Sequence, residues 1–264
     1  MKIEELNIYP LKSARSQKLN KLVITQEGPV GDRQWMLVDQ EGRFLSQRKL
    51  PRLASVEVFF EESSLTIGFQ KTFFKISTNS SFKRPVKVQI WNDNVEAALE
   101  PDLYSQALSQ YLGMNCRLVR YAPFSQRRVR SLSQDWKPEV RFADGRPLHL
   151  INTKSIEDLS SRLGQEVPRD RFRANVIFAG NAAYEEDLWK RIRLGEVIFS
   201  QPKPCARCVV LNIDQSIGQL TGAEPLKTLQ SYRPKTEAGP TFGALWIPEN
   251  VGTIRESDVL EVLE

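Results

Sequence analysis

"QPKPCARCVVLNIDQ", residues 201–215, sets two of the chain's three cysteines around an arginine, as Cys205-Ala206-Arg207-Cys208. A thioredoxin-like pair would open a helix, whose N-terminus lowers the pKa of the attacking thiol. Here the following run, VVLNI, is apolar and β-branched and reads as a strand, while the prolines before it read as a turn. A structural zinc site needs four nitrogen or sulfur ligands. This chain offers only Cys205, Cys208, the distant Cys116 and its one histidine, His149. Zinc and a redox dithiol therefore fit poorly. Two readings stay open: a pair of buried, inert cysteines, and a single thiolate that binds a metal already held by an organic cofactor.

Outward from these cysteines the strand pattern recurs. IEELNIY, KLVIT, WMLVD, SVEVFF, SLTIGF and VKVQIW fill the first ninety residues, separated by Gly, Asn, Asp or Pro. In VDQEGRFL a Glu-Gly pair between apolar runs signals a hairpin. PDLYSQALSQYLG reads as a helix with Pro101 at its first position, Leu103, Ala107, Leu108 and Tyr111 on one face, and Gly113 at its end. CRLVRY is another strand, followed by a polar stretch through Pro138 that reads as a loop over a site or a domain connection. LHLINTKSIEDLSSRLG reads as a strand turning into a helix, with Ser155 and Asp158 as a capping box and Ile156, Leu159 and Leu163 as the apolar stripe. RANVIF, RIRLGEVIFS and CVVLNI are strands, PLKTLQSY a third short helix, and ALWIP and DVLEVL closing strands. The expectation is a mostly β chain with three short helices, built as a barrel or sandwich.

The 264 residues are 41% hydrophobic and 26% charged, enough for one large domain or two ordinary ones. No run approaches the ~18 apolar residues of a membrane helix. The start, MKIEELNIYP, is acidic where a signal peptide would be apolar. Three cysteines suit a reducing compartment, so the expected location is cytoplasmic and no membrane partner is expected. The net charge is +5, but lysines and arginines are scattered, so a nucleic-acid-binding β-barrel is a weak reading. Arg127, Arg128 and Arg130 in SQRRVRS read as a solvated loop, or as a site for an anionic small molecule.

Other cations and polar groups could complete a cofactor site. Arg207 would favour a thiolate beside it and reach an anionic ligand. YPLKS ends a strand with Lys12 and Ser13, GDRQW puts Arg33 at a strand start, and RFRANVIF carries Arg173 and Asn175, expected on one face of a strand. Singly each reads as a surface group; only the combination is informative.

Taken in order, YPLKS, GDRQWMLVD, SQRKLPRLA, RFADGRPLHLIN, SIEDLSSRL, RFRANVIFAGNAAYEEDLW, LGEVIFS and PCARCVVLNID resemble the MOSC family (molybdenum cofactor sulfurase C-terminal domain), in particular members with an N-terminal β-barrel domain. R-F-R-x-N, E-E-D-x-W and C-x-R-C-x-x-x-x-x-D are the most specific pieces. The resemblance implies an N-terminal domain over residues 1–115, and over 116–264 a β-barrel core that binds the molybdenum cofactor, molybdopterin carrying the metal. It implies that Cys208 ligates molybdenum and is the catalytic residue, with Ala206 and Arg207 lining the cofactor. Lys12, Ser13, Arg33, Arg173 and Asn175 would hold the pterin and its phosphate, and Cys205 would have a packing or supporting role. Arg48, Asp144 and Arg146 fall in matched segments and read as structural ion pairs; Asp214 and Gly218 read as an Asx-turn. Ala174 stands where the family has proline, and the segment after Asp214 lacks the family's Asp-Pro-Asp-Thr-Gly form.

The activity implied is reduction of small N-hydroxylated compounds (hydroxylamines, amidoximes, N-hydroxylated bases), with no need for pyridoxal phosphate. Three cysteines cannot hold a four-cysteine iron–sulfur cluster. Electrons would then come from a separate flavoprotein, ferredoxin or cytochrome-type protein. No His, Glu or Asp general acid is read near the motif. The alternative is a cofactor or sulfur carrier that does not turn over substrate.

Overall fold

The computed structural model describes residues 1–79, 84–130 and 138–264. The chain is mostly β, as expected, with three α-helices among the described residues. The largest sheet follows the order Gln17–Leu19, Lys2–Ile8, Val176–Ala179, Leu148–Asn152, Gly239–Pro248, Val197–Ala206, Arg191–Leu194, Leu260–Val262. In that path only Leu148–Asn152 and Val176–Ala179 run parallel, and the crossover between them carries the helix Thr153–Leu163. The sheet curls around Leu6, Leu150, Phe178, Phe199 and Trp246. Its two ends meet at a single bridge, Lys2 to Val259, with Leu260 N donating to Met1 O at 2.7 Å. They do not form a continuous ladder.

A four-stranded sheet of Trp35–Val38, Arg117–Arg120, Asp93–Leu99 and Pro85–Ile90 joins a meander of Glu57–Glu61, Ser64–Phe69 and Thr72–Ser77. With the helix Asp102–Leu112 these enclose a second core of Trp35, Leu53, Leu65, Ile67, Leu108 and Leu118. The expected division at residues 115 and 116 cuts across paired strands. Lys2–Ile8 lies inside the sheet of the second half, and Arg117–Arg120 inside that of the first.

Several local expectations need correction. Leu103 is exposed; the helix Asp102–Leu112 buries Ser105, Leu108 and Leu112 instead. The helix Thr153–Leu163 is capped by Asn152, whose side chain accepts from Lys154 N at 2.9 Å. Ser155 lies inside that helix and is no cap: its Oγ accepts from Tyr184 N and donates to the buried Glu186. Arg127 is buried, with Nε on Asp93 at 2.9 Å and Nη1 on Arg141 O, so SQRRVRS is not simply a solvated loop. The remainder of the polar stretch, residues 131–137, lies outside the described residues. Among the described residues no helix is long and apolar enough to cross a membrane.

The cysteine segment also differs from its reading. Val197–Ala206 is one strand running through both prolines, with register shifts between Ser200 and Lys203 and between Pro204 and Ala206. Bulges are where a strand tolerates proline. VVLNI is no strand up to Asn212: Val209–Asn212 is a 3₁₀ turn closed by Leu211 N on Cys208 O at 3.0 Å. Arg207 turns the chain there, its own N–H bonded to Pro240 O at 2.7 Å.

Candidate functional site

One cavity of about 710 Å³ is lined by eight lysines and arginines against two carboxylates. Lys12, Ser13, Arg33, Arg173, Asn175, Ala206, Arg207 and Cys208 all lie on its wall. Residues far apart in sequence therefore meet at one place. The zinc reading finds no support: among the described residues no three of His, Cys, Asp and Glu come together to hold a metal. Cys116 is buried in the second core, where burial pushes its thiol up.

Ser13, Arg33 and Arg173 adopt left-handed backbone, with φ of 71°, 44° and 55°. Non-glycine residues seldom sit there, and such strain gathers at sites whose geometry is over-determined by the surroundings. Arg173 and Asn175 are thus not carried on a strand face as expected; they form the corner before Val176–Ala179. The guanidinium groups of Arg33 and Arg173 lie 4.2 and 4.4 Å from the centre of the Tyr9 ring. Arg33 Nη1 also pairs with Asp32 Oδ2 at 2.6 Å, and Arg173 Nη1 donates to Ala14 O at 2.8 Å. Burial lowers Arg173 to about 10, and lowers Lys12 to about 8 against the opposing pull of Asp144.

Asn175 lines the cavity, yet its amide is fully engaged. Nδ2 donates to Asn7 O and Asp32 Oδ1, each at 3.1 Å, and Oδ1 accepts from His149 N at 3.1 Å and Arg33 Nη1 at 3.0 Å. An asparagine with both donors and both lone pairs satisfied has nothing left for a ligand. Its part is to hold Arg33. Arg207 is similarly turned inward. Nε and Nη2 donate to Phe242 O, Nη1 donates to Phe172 O, and Nη2 meets His149 Nε2 at 2.7 Å. Arg207 therefore anchors the cysteine turn, and its guanidinium does not sit on the thiol.

The cation beside Cys208 is Arg48, whose Nε donates to Sγ at 3.3 Å. Its expected role as a structural ion pair is wrong: it stacks 4.5 Å from the Trp91 ring centre and has no acidic partner among the described residues. Trp91 Nε1 in turn donates to Asp144 Oδ1 at 3.1 Å, and Lys12 Nζ reaches the same oxygen at 2.5 Å. Asp144 is an ion pair as read, but with Lys12 rather than Arg146. Burial raises its carboxyl, and Lys12, Arg48 and the Trp91 bond outweigh that and hold it well below the usual range. Cys205 faces the same cavity, with burial pushing its thiol up.

His149 stands beside the motif in the fold, but not as the general acid that the sequence reading looked for and did not find. Burial and then Arg207 hold it well below its ordinary pKa, so the neutral ring accepts from Arg207 through Nε2. The sequence offered it only as a remote zinc ligand, because it precedes the motif by more than fifty residues and reaches it only through strand pairing. Asp214 does form the Asx-turn, accepting from Ser216 N at 2.9 Å, with Gly218 at φ 66°.

Residues 1–115 match the family model of the MOSC N-terminal beta barrel domain, and residues 137–261 that of the MOSC domain. The chain is 29% identical over 279 residues to mitochondrial amidoxime-reducing component 1 of Mus musculus, across 99% of this chain and 82% of that protein. It is 30% identical over 285 residues to mitochondrial amidoxime reducing component 2 of Rattus norvegicus, across 97% and 81%. To the molybdenum cofactor sulfurase of Oryza sativa it is 30% identical over 258 residues, 88% of this chain but 31% of that longer protein. This chain belongs to the MOSC family, with a MOSC N-terminal beta barrel domain followed by a MOSC domain.

Proposed function

We propose that the protein is a molybdenum-cofactor-dependent oxidoreductase that reduces N-hydroxylated compounds, with electrons delivered by a separate redox protein. The observation that carries this is the Cys208 thiol standing at the wall of a cavity whose charged residues are mostly cationic, eight lysines and arginines against two carboxylates. The residues fit an anionic, metal-bearing ligand. Cys208 would supply the metal's thiolate, with Arg48 stabilising the deprotonated sulfur. Lys12, Ser13, Arg33 and Arg173 would take the pterin and its phosphate, for which lysine and arginine are the natural partners. Asn175 holds Arg33 in place, and Arg207 fixes the main chain of Ala206 and Cys208. When bound, the cofactor supplies the two-electron chemistry; the hydroxylamine takes up two electrons and two protons and leaves as amine and water. Lys12, with its lowered pKa and its hold on Asp144, is the cavity group best suited to keep a proton near the ligand.

Elemental analysis of protein expressed with molybdate tests this. About one molybdenum per chain is expected, lost in Cys208→Ser and kept in Cys205→Ser. Turnover of a hydroxylamine with an artificial electron donor should follow the metal content. The similarity to molybdenum cofactor sulfurase favours a second reading, a carrier of the cofactor or of sulfur. A metal-loaded but inert protein would select the carrier, and a protein that takes up no molybdenum would end both readings.

A further inference from the structure

The other buried arginines of this protein are partnered. Arg120 meets Glu100 at 2.8 Å, Arg127 meets Asp93 at 2.9 Å, Arg207 is bound by carbonyls, and Arg233 pairs with Asp187. Arg146 is buried to the same degree, 8% exposed, and makes no hydrogen bond or ion pair with any described residue. Its Nε and Nη1 are closed off from solvent and without an acceptor. The nearest acidic residue in sequence, Asp144, is already taken by Lys12 and Trp91. Burial lowers the pKa of Arg146, with no neighbouring charge opposing it. An uncompensated guanidinium of this kind costs stability.

Arg146 is also part of the cavity wall. It precedes the strand Leu148–Asn152, in which His149 lies opposite Leu245. Leu245 lies in turn opposite Lys203. All three line the same cavity, so this wall runs from the buried histidine out to an exposed lysine that has no ion pair among the described residues.

We propose that Arg146 binds an oxyanion, phosphate or carboxylate, of the molecule that occupies this cavity, with Lys203 adding charge at the rim. A planar guanidinium with free N–H groups matches two oxygens of such an anion. The site differs from the Lys12, Arg33 and Arg173 group, each of which already has a partner in Asp144, Asp32 or a main-chain carbonyl and brings only its remaining N–H groups to a ligand. That an anion binds at all rests on Arg146 alone; whether it belongs to the cofactor or to the substrate rests on the function proposed above.

The test uses the full chain and Arg146→Met, first titrated with inorganic phosphate by calorimetry and followed by thermal unfolding. The wild type should bind phosphate, and the variant should bind it at least tenfold more weakly or lose one binding event. The ligand-free variant should melt at the same temperature or higher, because a structural arginine would instead leave a less stable protein. Absence of phosphate binding by the wild type, equal binding by the variant, or a lower melting temperature would overturn the proposal. These readings stand whether or not the protein takes up molybdenum. In metal-loaded protein, a KM raised only for N-hydroxylated compounds bearing an anionic group assigns the oxyanion to the substrate. A fall in molybdenum content assigns it to the cofactor.

Discussion

Asn175→Asp is nearly isosteric, and the hydrogen-bond network says it should be among the worst substitutions in the protein. The oxygen that accepts from His149 N and Arg33 is kept, but the other position turns from a donor into an acceptor facing Asn7 O and Asp32 Oδ1. Two unit charges at the 3.1 Å separation found there repel by about 5 kcal/mol at an effective dielectric near 20; Arg33, at 3.0 Å, offsets a similar amount, and the several kcal/mol of desolvating a buried carboxylate keep the charged form disfavoured. Protonation offers an escape, which at pH 7 costs about 4 kcal/mol from an ordinary aspartate pKa near 3.9, so the loss should settle near ~4 kcal/mol. Because the introduced group has a raised pKa when folded, its penalty is absent at low pH and grows as pH rises, by about 1.4 kcal/mol per unit. Asn175→Ala creates no repulsion; it leaves Asn7 O and His149 N unpaired and should cost about 2–3 kcal/mol at any pH. Urea unfolding followed by tryptophan fluorescence should therefore rank the aspartate variant below the alanine variant near pH 8, with the order reversed near pH 5. An aspartate variant as stable as the wild type near pH 8, or a deficit that ignores pH, would refute the network.

Arg48→Met should slow alkylation of Cys208 at neutral pH by roughly three- to tenfold, measured by thiol-labelling kinetics, since it removes the cation at the sulfur. Burial raises Glu186 to about 7, so its contribution to stability is full below its ordinary 4.5 and is lost as pH rises through about 7. The loss across that window is about 3 kcal/mol, and Glu186→Gln should flatten the pH profile of unfolding. Gly239 has φ 130° and its Cα faces the Arg207 carbonyl oxygen, where a Cβ would overlap. Gly239→Ala should cost about 2 kcal/mol or more, seen as a lower melting temperature.

Much of this architecture was legible because strands announce themselves locally. IEELNIY, WMLVD and SLTIGF alternate or cluster their apolar residues as a sheet demands, and glycine and asparagine mark their ends. Helix caps were less legible: Ser155 fits a capping pattern, yet Asn152, three residues earlier, already satisfies the first turn. VVLNI has the composition of a strand but follows a sharp corner pinned by Arg207, and tertiary bonds outweigh its propensity there. In the site, the motif arginine drew attention because it adjoins the cysteines, while its side chain points away to the carbonyls of Phe172 and Phe242. Arg48, Trp91, Arg146 and His149 share no spacing with the motif. Only the folding of distant strands around one cavity brings them together.

The position of Lys2–Ile8 bears on how the protein is made. This strand pairs with Val176–Ala179 and meets the region of Leu260 only at the end of the sheet. On the ribosome its apolar residues Ile3, Leu6 and Ile8 can meet early only the short strand Gln17–Leu19 and the nearby Leu22 and Ile24; the rest of their core must wait until most of the polypeptide has been synthesised. Such long-range pairing folds slowly and leaves nascent chains open to aggregation. The yield of native protein should therefore depend strongly on temperature and on chaperone supply during translation.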